Sequence, residues 1–243
     1  MNAILPLILS VVAATPAPDR LPEAPGSTAV VVELFTSEGC SSCPPADALL
    51  ARLAREGLPG TRVLGLSEHV DYWNGPGWRD PFSSWVFTQR QEAYDRRLGL
   101  DTIYTPQAVV DGEAQVLGGD EAALRAAILR AARAPRGRLT LRRSPEGVGV
   151  EGAWPGGRAA VLVALVEDGV ESRVTGGENG GRTLRHDGVV RWLGAAGEGE
   201  GTFRGAVAVP PAGRGRFRVL AFAQSTRSGR ILAAGELVYA PGA

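Results

Sequence analysis

The sequence contains no lysine, one methionine and two cysteines among its 243 residues. Two half-cystines are too few for a small secreted scaffold held together by several disulfides, so stability has to come from an apolar core. The 26 basic residues are all arginine, 26 acidic residues balance them, and no run of like charge occurs. A polyanion-binding surface is therefore not predicted, and nucleic acid is not an expected partner.

Long apolar runs are also scarce, and the one at the N-terminus is short. Residues 4–14 form an apolar stretch that is followed by Thr15-Pro16-Ala17-Pro18. This pattern predicts a cleaved signal peptide over residues 1–14, with an uncleaved anchor as the alternative, and a loose linker over residues 15–27. No later segment is apolar enough to span a bilayer. We therefore expect an exported protein, periplasmic or extracellular, without membrane contact after signal cleavage.

The two cysteines stand three positions apart in Cys40-Ser41-Ser42-Cys43. A run of β-branched residues before them predicts a strand, and apolar residues at helical spacing after them predict a helix. The cysteines therefore lie at the strand-to-helix turn of a predicted βαβ unit. Unpaired N–H groups of a first helical turn stabilise a thiolate, so Cys40 is the expected nucleophile. Cys43, one turn further in, would resolve the mixed disulfide. An inert local disulfide is the alternative.

The first half of the chain alternates strand and helix patterns in the order β-α-β-α-β-β-α. Its second helix is predicted to begin at Asp80-Pro81 and to run to Gly99, and Asp111-Gly112 favours a tight hairpin turn. The other predicted elements are strands at Ala29–Phe35 and Arg62–Leu66, a helix from Ala46 to Gly57, hairpin strands at Ala108–Val110 and Ala114–Leu117, and a helix between Asp120 and Pro135.

From Arg138 onward, apolar residues recur at every second position, with turn residues at short intervals. This period indicates an all-β, sandwich-like structure, and no helical stripe interrupts it. The expected organisation is therefore an α/β domain over residues 28–136 followed by an all-β sandwich-like domain over residues 137–243.

Five segments carry a specific set of motifs: Glu33–Leu50 with its CSSCPP core, His69–Trp73, Asp80–Ser84, Tyr104–Gln107 and Glu178–Leu184. With the element order above, they resemble the thioredoxin superfamily. More closely, they resemble a bacterial family of secreted thioredoxin-like proteins catalogued as a domain of unknown function. The resemblance implies a thioredoxin-like α/β fold for the first domain and thiol–disulfide oxidoreductase activity on a protein thiol or disulfide partner. It implies no cofactor.

The same resemblance assigns residues near the cysteines. Pro106 matches a proline that is cis in thioredoxin-like folds and faces the disulfide, and the backbone of Thr105 would pair with an extended substrate. Glu33 lies one position from the acid that thioredoxins bury beneath the cysteines. Proton transfer is therefore a candidate role for Glu33, and an ion pair with an arginine is the alternative.

His69 follows the second predicted strand, at the sheet end where ligands of open α/β folds collect. It is a candidate for modulating the thiolate, with a loop-capping role as the alternative. With Cys40 and Cys43 it would also make a soft-metal site, so a copper-binding or metallochaperone protein is the second hypothesis. A third is a binding module that retains the fold as a scaffold. We expect His186 at the surface.

Overall fold

The structure, a computed structural model, describes residues 27–239, so the predicted signal peptide and residues 15–26 of the predicted linker lie outside it. Over this range the chain forms three helices and eleven strands. The helices are α1 (Cys43–Glu56), α2 (Trp85–Leu98) and α3 (Glu121–Ala131). The strands are β1 (Thr28–Thr36), β2 (Thr61–His69), β3 (Gln107–Val110), β4 (Ala114–Leu117), β5 (Gly137–Ser144), β6 (Gly147–Asp168), β7 (Val170–Arg173), β8 (Thr183–His186), β9 (Val189–Val207), β10 (Arg216–Ser225) and β11 (Ile231–Tyr239). In this range no helix combines the length and the apolar composition that crossing a membrane requires.

The ends of α1 and α3 follow from local chemistry. Two prolines occupy the first turn of α1, where their missing N–H groups cost no intrahelical hydrogen bond. Gly57 ends this helix with a φ of 68°. The side chain of Asp120 accepts the N–H of Ala123 at 2.9 Å and so caps α3. These boundaries agree with the sequence pattern.

α2 begins at Trp85 and not at Pro81, where the sequence pattern placed it. The hydroxyl of Ser84 caps the helix by accepting an N–H of its first turn at 3.2 Å. The carboxylate of Asp80 lies 2.7 Å from the ring of His69 instead. A tertiary partner thus overrides a local capping signal.

Nine strands form one mixed sheet in the order β10-β11-β5-β6-β9-β2-β1-β3-β4, and β7 and β8 form a separate hairpin. β1 pairs in parallel with β2 and antiparallel with β3. The long strand β6 pairs with β5, β9 and β10, and β10 also pairs with β11, so this part of the sheet closes on itself. β2 and β9 meet at one parallel bridge, Ser67 to Val189.

The predicted fold class, a thioredoxin-like α/β domain followed by an all-β sandwich-like domain, is wrong. The structure is 49% strand and 18% helix, and its mixed sheet runs through both halves of the chain. The physical reason is the outer edge of β2, which would be left open at the rim of an isolated first half and which meets β9 instead. Alternating apolar residues identify strands, but they do not show which edges pair.

The two halves also share an apolar core on the face of β1 and β2 that α2 covers. In this core, side chains of β1, β2 and α2 pack against side chains of β6, β9, β10 and β11. Its fully buried members are Val31, Leu64, Leu66, Phe87, Ala164, Val166, Val190, Leu220, Phe222, Ile231 and Ala234. The predicted domain boundary between residues 136 and 137 coincides with the start of β5, and the division into two domains stays a prediction.

The turn between β3 and β4 ties the halves together. Asp111 and Gly112 have φ values of 48° and 70°, and with Glu113 they form a three-residue loop, one residue longer than the predicted two-residue turn. The Asp111 carboxylate accepts the N–H of Val31 at 2.9 Å and a guanidinium N–H of Arg136 at 2.6 Å. Its carbonyl accepts the N–H of Ile231 at 2.9 Å. One turn residue therefore bonds to β1, to the residue just before β5 and to β11.

Gly112→Ala is expected to lower the free energy of unfolding by more than about 1 kcal/mol. An alanine is strained at this positive φ, and its Cβ would also clash with a neighbouring backbone atom. That Cβ would lie 2.1 Å from the carbonyl oxygen of Gly229. Gly60→Ala is the matched control, since its φ is 64° and an added Cβ has no heavy atom within 4 Å. Urea unfolding measures both variants. Equal losses would show that the approach of Gly229 contributes nothing.

Candidate functional site

Cys40 and Cys43 form a disulfide where the loop after β1 meets α1, with their Cα atoms 5.5 Å apart. The sulfur of Cys40 lies 3.3 Å from the hydroxyl oxygen of Ser42. Both cysteines are buried, with 1% and 0% of their surface exposed, whereas Ser41 and Ser42 between them are exposed. The cross-link joins residues three positions apart, so it is local chemistry and does not hold distant parts of the fold together.

The start of α1 offers few N–H groups to a charged sulfur. Two prolines follow Cys43 and supply none. The N–H of Cys43 itself bonds to the carbonyl of Cys40 at 3.2 Å. The N–H of Ser41 donates to a carboxylate oxygen of Glu178 at 2.8 Å. A donor that would stabilise a thiolate is therefore already occupied by an acidic side chain from the second half.

Residues 174–182, the loop between β7 and β8, lie over the cysteines and are called here the strap. The side-chain amide of Asn179 donates to the carbonyl oxygens of Glu38 and Cys40, both at 2.9 Å. Asn179 is 0% exposed. The glycine-rich strap therefore contacts the backbone of the cysteine loop.

Five buried titratable side chains lie next to the cysteine loop and form what we call the histidine–acid cluster. They are Glu38, Asp47, His69, Asp80 and His186. His69 Nδ1 is 2.7 Å from an Asp80 oxygen, and His186 Nε2 is 3.0 Å from a Glu38 oxygen. The two imidazole rings lie 5.0 Å apart at their centroids, and His186 Nδ1 is 3.9 Å from an Asp47 oxygen. The cluster therefore joins β2, β8, α1 and the loop that carries Cys40.

The charges of this cluster are set by burial and by its own members. Burial opposes charge on His69, but the Asp80 carboxylate outweighs it and raises the pKa of His69. Burial acts to raise the pKa of Asp80, yet His69 and the N–H of Glu38 hold that pKa below its ordinary value. Burial raises the pKa of Asp47 against the opposing effect of both histidines. Asp47 therefore keeps its proton to a higher pH than an exposed carboxyl.

Asp47 lies one helical turn after Cys43 on α1. Residues four apart share a helix face, and helical side chains lean toward the N-terminus, so Asp47 covers the turn that contains Cys43. One of its carboxyl oxygens has no hydrogen-bond partner, and neither does Nε2 of His69 or Nδ1 of His186. The cluster thus has buried polar atoms without a hydrogen-bond partner beside the disulfide.

Glu33 lies on the other face of β1. It alternates with Val32 and Leu34, which pack against α1, so its side chain points toward α2. There it forms an ion pair with Arg90 and accepts the hydroxyl of Tyr94. The sheet therefore separates Glu33 from the helix face that carries Asp47.

Thr105 and Pro106 are joined by a cis peptide bond. The indole N–H of Trp73 donates to the hydroxyl of Thr105 at 2.7 Å. Trp73 also lies against Gly39, where an added Cβ would be 3.1 Å from the Cβ of the tryptophan. The half-exposed indole thus bridges the Thr105–Pro106 segment and the cysteine loop.

The structure offers no observation in favour of a metal centre at the cysteines. Within residues 27–239 no group of three or more His, Cys, Asp or Glu side chains could hold a metal ion. His69 already bonds to Asp80 through Nδ1. The copper-binding hypothesis stays a prediction.

The family described as "Protein of unknown function (DUF1223)" matches residues 31–224. The chain belongs to this family. An X-ray structure of an Agrobacterium tumefaciens protein is similar to it, with 28% identity, 88% of this chain and 96% of that chain covered and a TM-score of 0.73. HBP35 of Porphyromonas gingivalis shares the fold, with 17% identity, 88% and 76% coverage and a TM-score of 0.59. No curated protein matches the sequence.

In this DUF1223 protein the predicted site residues fall into two groups. Cys40 and Cys43 are bonded to each other, and Thr105-Pro106 is linked to their loop through Trp73. His69 belongs to the histidine–acid cluster beside them. Glu33 lies apart, on the α2 face. The chemical roles assigned to all of these residues stay predictions.

Sequence reasoning missed several partners of the DUF1223 cysteines. His186 was expected at the surface, but it is 3% exposed and faces Glu38 from 148 positions along the chain. Glu178 and Asn179 lie in a segment that carried the family resemblance, but the resemblance assigned them no role at the cysteines, because their partners are backbone groups in the other half. Asp47 did carry one, since an acid four residues after Cys43 shares its helix face.

Proposed function

We propose that this protein exchanges disulfides with protein thiols through Cys40 and Cys43. The observation that carries the proposal is their disulfide at the first turn of α1, with a buried carboxyl one turn behind it. A thioredoxin-like dithiol site in an exported protein is part of the same proposal, and the apolar stretch at residues 4–14 supports export.

In the proposed reaction a substrate thiolate attacks the sulfur of Cys40. The bond between Cys40 and Cys43 breaks, a new disulfide joins Cys40 to the substrate, and Cys43 leaves with the electron pair and takes up a proton. A second substrate thiolate then attacks the substrate sulfur of this mixed disulfide and releases Cys40 as a thiolate. Two electrons pass from the substrate dithiol to the protein. The reverse sequence reduces a substrate disulfide, with Cys40 attacking and Cys43 resolving.

The histidine–acid cluster supplies the proton step of this proposal. A thiolate on buried Cys43 is costly, because a charge in an apolar setting loses its hydration. Asp47 shares the helix face of Cys43, and its raised pKa suits a group that passes a proton to and from a thiol. His69 and His186 flank Asp47 and stabilise its charged form after the proton has left.

Exposed aromatic side chains beside the cysteine loop support a protein partner. Tyr72 is 41% exposed and Trp73 is 36% exposed. Trp73 touches both the cysteine loop and Thr105. An aromatic wall next to an extended segment is suited to hold a polypeptide chain against the disulfide.

Cys43→Ala is expected to trap the reaction halfway. With the resolving thiol removed, Cys40 should remain joined to a disulfide-bonded test protein such as insulin, and intact-mass analysis under non-reducing conditions detects the adduct. Cys40→Ala is the matched control and should give no adduct, because Cys43, the first residue of α1, has no exposed surface and is proposed only to resolve the mixed disulfide.

Wild-type protein should also cycle between oxidised and reduced forms with a small dithiol. If the two single-cysteine variants give equal adduct, the assignment of Cys40 as nucleophile is wrong. If wild type does not cycle with the dithiol and Cys43→Ala forms no adduct with the test protein, the proposed function is wrong.

A further inference from the structure

In the oxidised protein the strap, residues 174–182, is hydrogen-bonded to the backbone of the loop that carries the disulfide. Cys40 is 1% exposed although the next residue, Ser41, is exposed, and the strap bonds to the backbone of both. Disulfide exchange requires an incoming thiolate to reach a sulfur atom directly. Exchange at this site therefore requires the segments that bury Cys40 to open, and the strap is bonded to the backbone of Cys40 and Ser41.

The strap holds the cysteine loop with two anchors of different kinds. Asn179 is buried and neutral, uses its amide for two backbone carbonyls, and accepts a hydrogen bond from Arg182 at 2.6 Å. Glu178 is exposed, and the hydroxyl and N–H of Ser41 keep its pKa below the ordinary value, so it is charged at neutral pH. The first anchor does not depend on charge, and the second does.

Reduction changes the charge next to the second anchor. The disulfide is neutral, but a reduced Cys40 that loses its proton is an anion beside Ser41, whose N–H the carboxylate of Glu178 already occupies. The prolines after Cys43 add no further N–H groups to share. Two anions that compete for the same donor repel each other, and this repulsion exists only in the reduced state.

We propose that the strap is a redox-responsive latch that covers the disulfide in the oxidised protein and loosens when Cys40 becomes a thiolate. The inference rests on the proposed function at the same site. Glu178 is the group that responds to the sulfur charge, and Asn179 is the anchor that keeps the loop closed. Because coupling between two sites is reciprocal, a closed strap disfavours the thiolate and favours the disulfide. A partner that displaces the strap gains access to Cys40, so these residues select the substrate.

The backbone of the strap is suited to such a movement. Gly177 and Gly181 flank the two anchors, with φ values of 70° and 84° that glycine adopts without strain. Gly176 packs so closely on the loop after β2 that an added Cβ would lie 1.8 Å from the carbonyl oxygen of Gly77. The strap therefore has flexible points on both sides of Glu178 and a fixed contact at its base.

The first test measures the equilibrium of the Cys40–Cys43 pair against dithiothreitol. Glu178→Gln keeps the shape of the side chain but removes its charge, so the equilibrium should move about threefold toward the dithiol, which corresponds to about 14 mV. Glu171→Gln is the matched control, because Glu171 lies in the same hairpin and pairs with Arg185. It should leave the equilibrium unchanged. An unchanged equilibrium in Glu178→Gln overturns the role of Glu178.

The second test follows hydrogen exchange of the strap amides in oxidised and reduced wild type. The N–H groups of Gly180, Gly181 and Arg182 are bonded within the strap and report its order. They should exchange faster after reduction. In Asn179→Ala they should exchange quickly in both states, and reduction by dithiothreitol should be about tenfold faster, because one buried anchor worth about 1.4 kcal/mol is lost. Equal protection in the two redox states of wild type overturns the latch.

Both tests use a small dithiol alone, so they are independent of any protein substrate. If the strap responds to reduction while Cys43→Ala captures no protein, the proposed function fails and the latch stands. If mixed disulfides form while the strap is indifferent to the redox state, the latch fails and the proposed function stands.

Discussion

Replacing Arg90 by methionine is expected to cost about 3–5 kcal/mol of the free energy of unfolding at neutral pH. The side chain of Arg90 is 13% exposed and pairs with two buried carboxylates, Glu33 directly and Glu68 at 3.7 Å. It also bonds to the hydroxyl of Tyr94 at 2.9 Å and to Gln224 at 3.3 Å. Without the guanidinium, two acids remain buried together with no positive charge, and a link to the second half is lost.

Arg96→Met is the matched control for this prediction. Arg96 lies on the same helix, is 67% exposed and pairs with Glu92 at 3.6 Å, so its removal should change stability by less than about 0.5 kcal/mol. Urea denaturation compares the two variants. A loss in Arg90→Met no larger than that in Arg96→Met would show that the buried acids do not need this cation.

The stability contributed by Glu68 has a definite pH dependence. Burial raises its pKa well above the ordinary value and Glu33 adds to this effect, while Arg90 opposes it. A raised folded-state pKa means that folding takes up a proton. The contribution of Glu68 is therefore fully present below its unfolded pKa and is lost as the pH rises through its folded pKa. As the pH rises from about 4.5, the free energy of unfolding of Glu68→Gln should therefore decline less than that of wild type. Urea titrations at several pH values in this range measure the difference.

Asp47→Asn is expected to slow resolution of the mixed disulfide by about 100-fold, because an amide cannot exchange a proton with the Cys43 thiol. In wild type the rate should rise as the pH passes through the raised pKa of Asp47, since the charged form is the base. The variant should lose this step in its pH profile. Stopped-flow measurement of thiol release from a mixed disulfide preformed on Cys40 gives both quantities.

Glu33→Gln discriminates between the two candidate acids. Glu33 lies on the opposite face of β1, paired with Arg90, so its variant should retain the pH step of wild type even if its stability falls. If Glu33→Gln loses the step and Asp47→Asn keeps it, the proton passes through the acid that the family resemblance indicated, and the role of Asp47 is refuted.

Local patterns predicted the elements around the cysteines well. The β-branched run before Cys40 forms β1, the apolar stripe after Cys43 forms α1, and Asp111-Gly112 forms a hairpin turn. These features depend on neighbours within about one helical turn or one turn of chain, which is the distance over which caps, prolines and alternation act.

Contacts between distant positions were not predictable in the same way. α2 begins later than predicted because Asp80 bonds to His69 and does not cap the helix. His186 is buried because Glu38 lies opposite its ring. The fold class failed for the same reason, since the edge of β2 meets β9 and not solvent. A sequence period states that a residue is in a strand, but the partner of that strand is decided by which surfaces remain uncovered.

The sequence by itself determined a local dithiol pair at the start of a helix, with a proline-containing segment and a histidine as candidate neighbours. Only the tertiary structure decided that Glu33 faces away from the pair and that His186 lies next to Asp47. It also decided that Asn179, 139 positions from Cys40, closes the loop. Periodicity is a property of adjacent residues, whereas the environment of a sulfur atom is made by whichever distant segments pack against it.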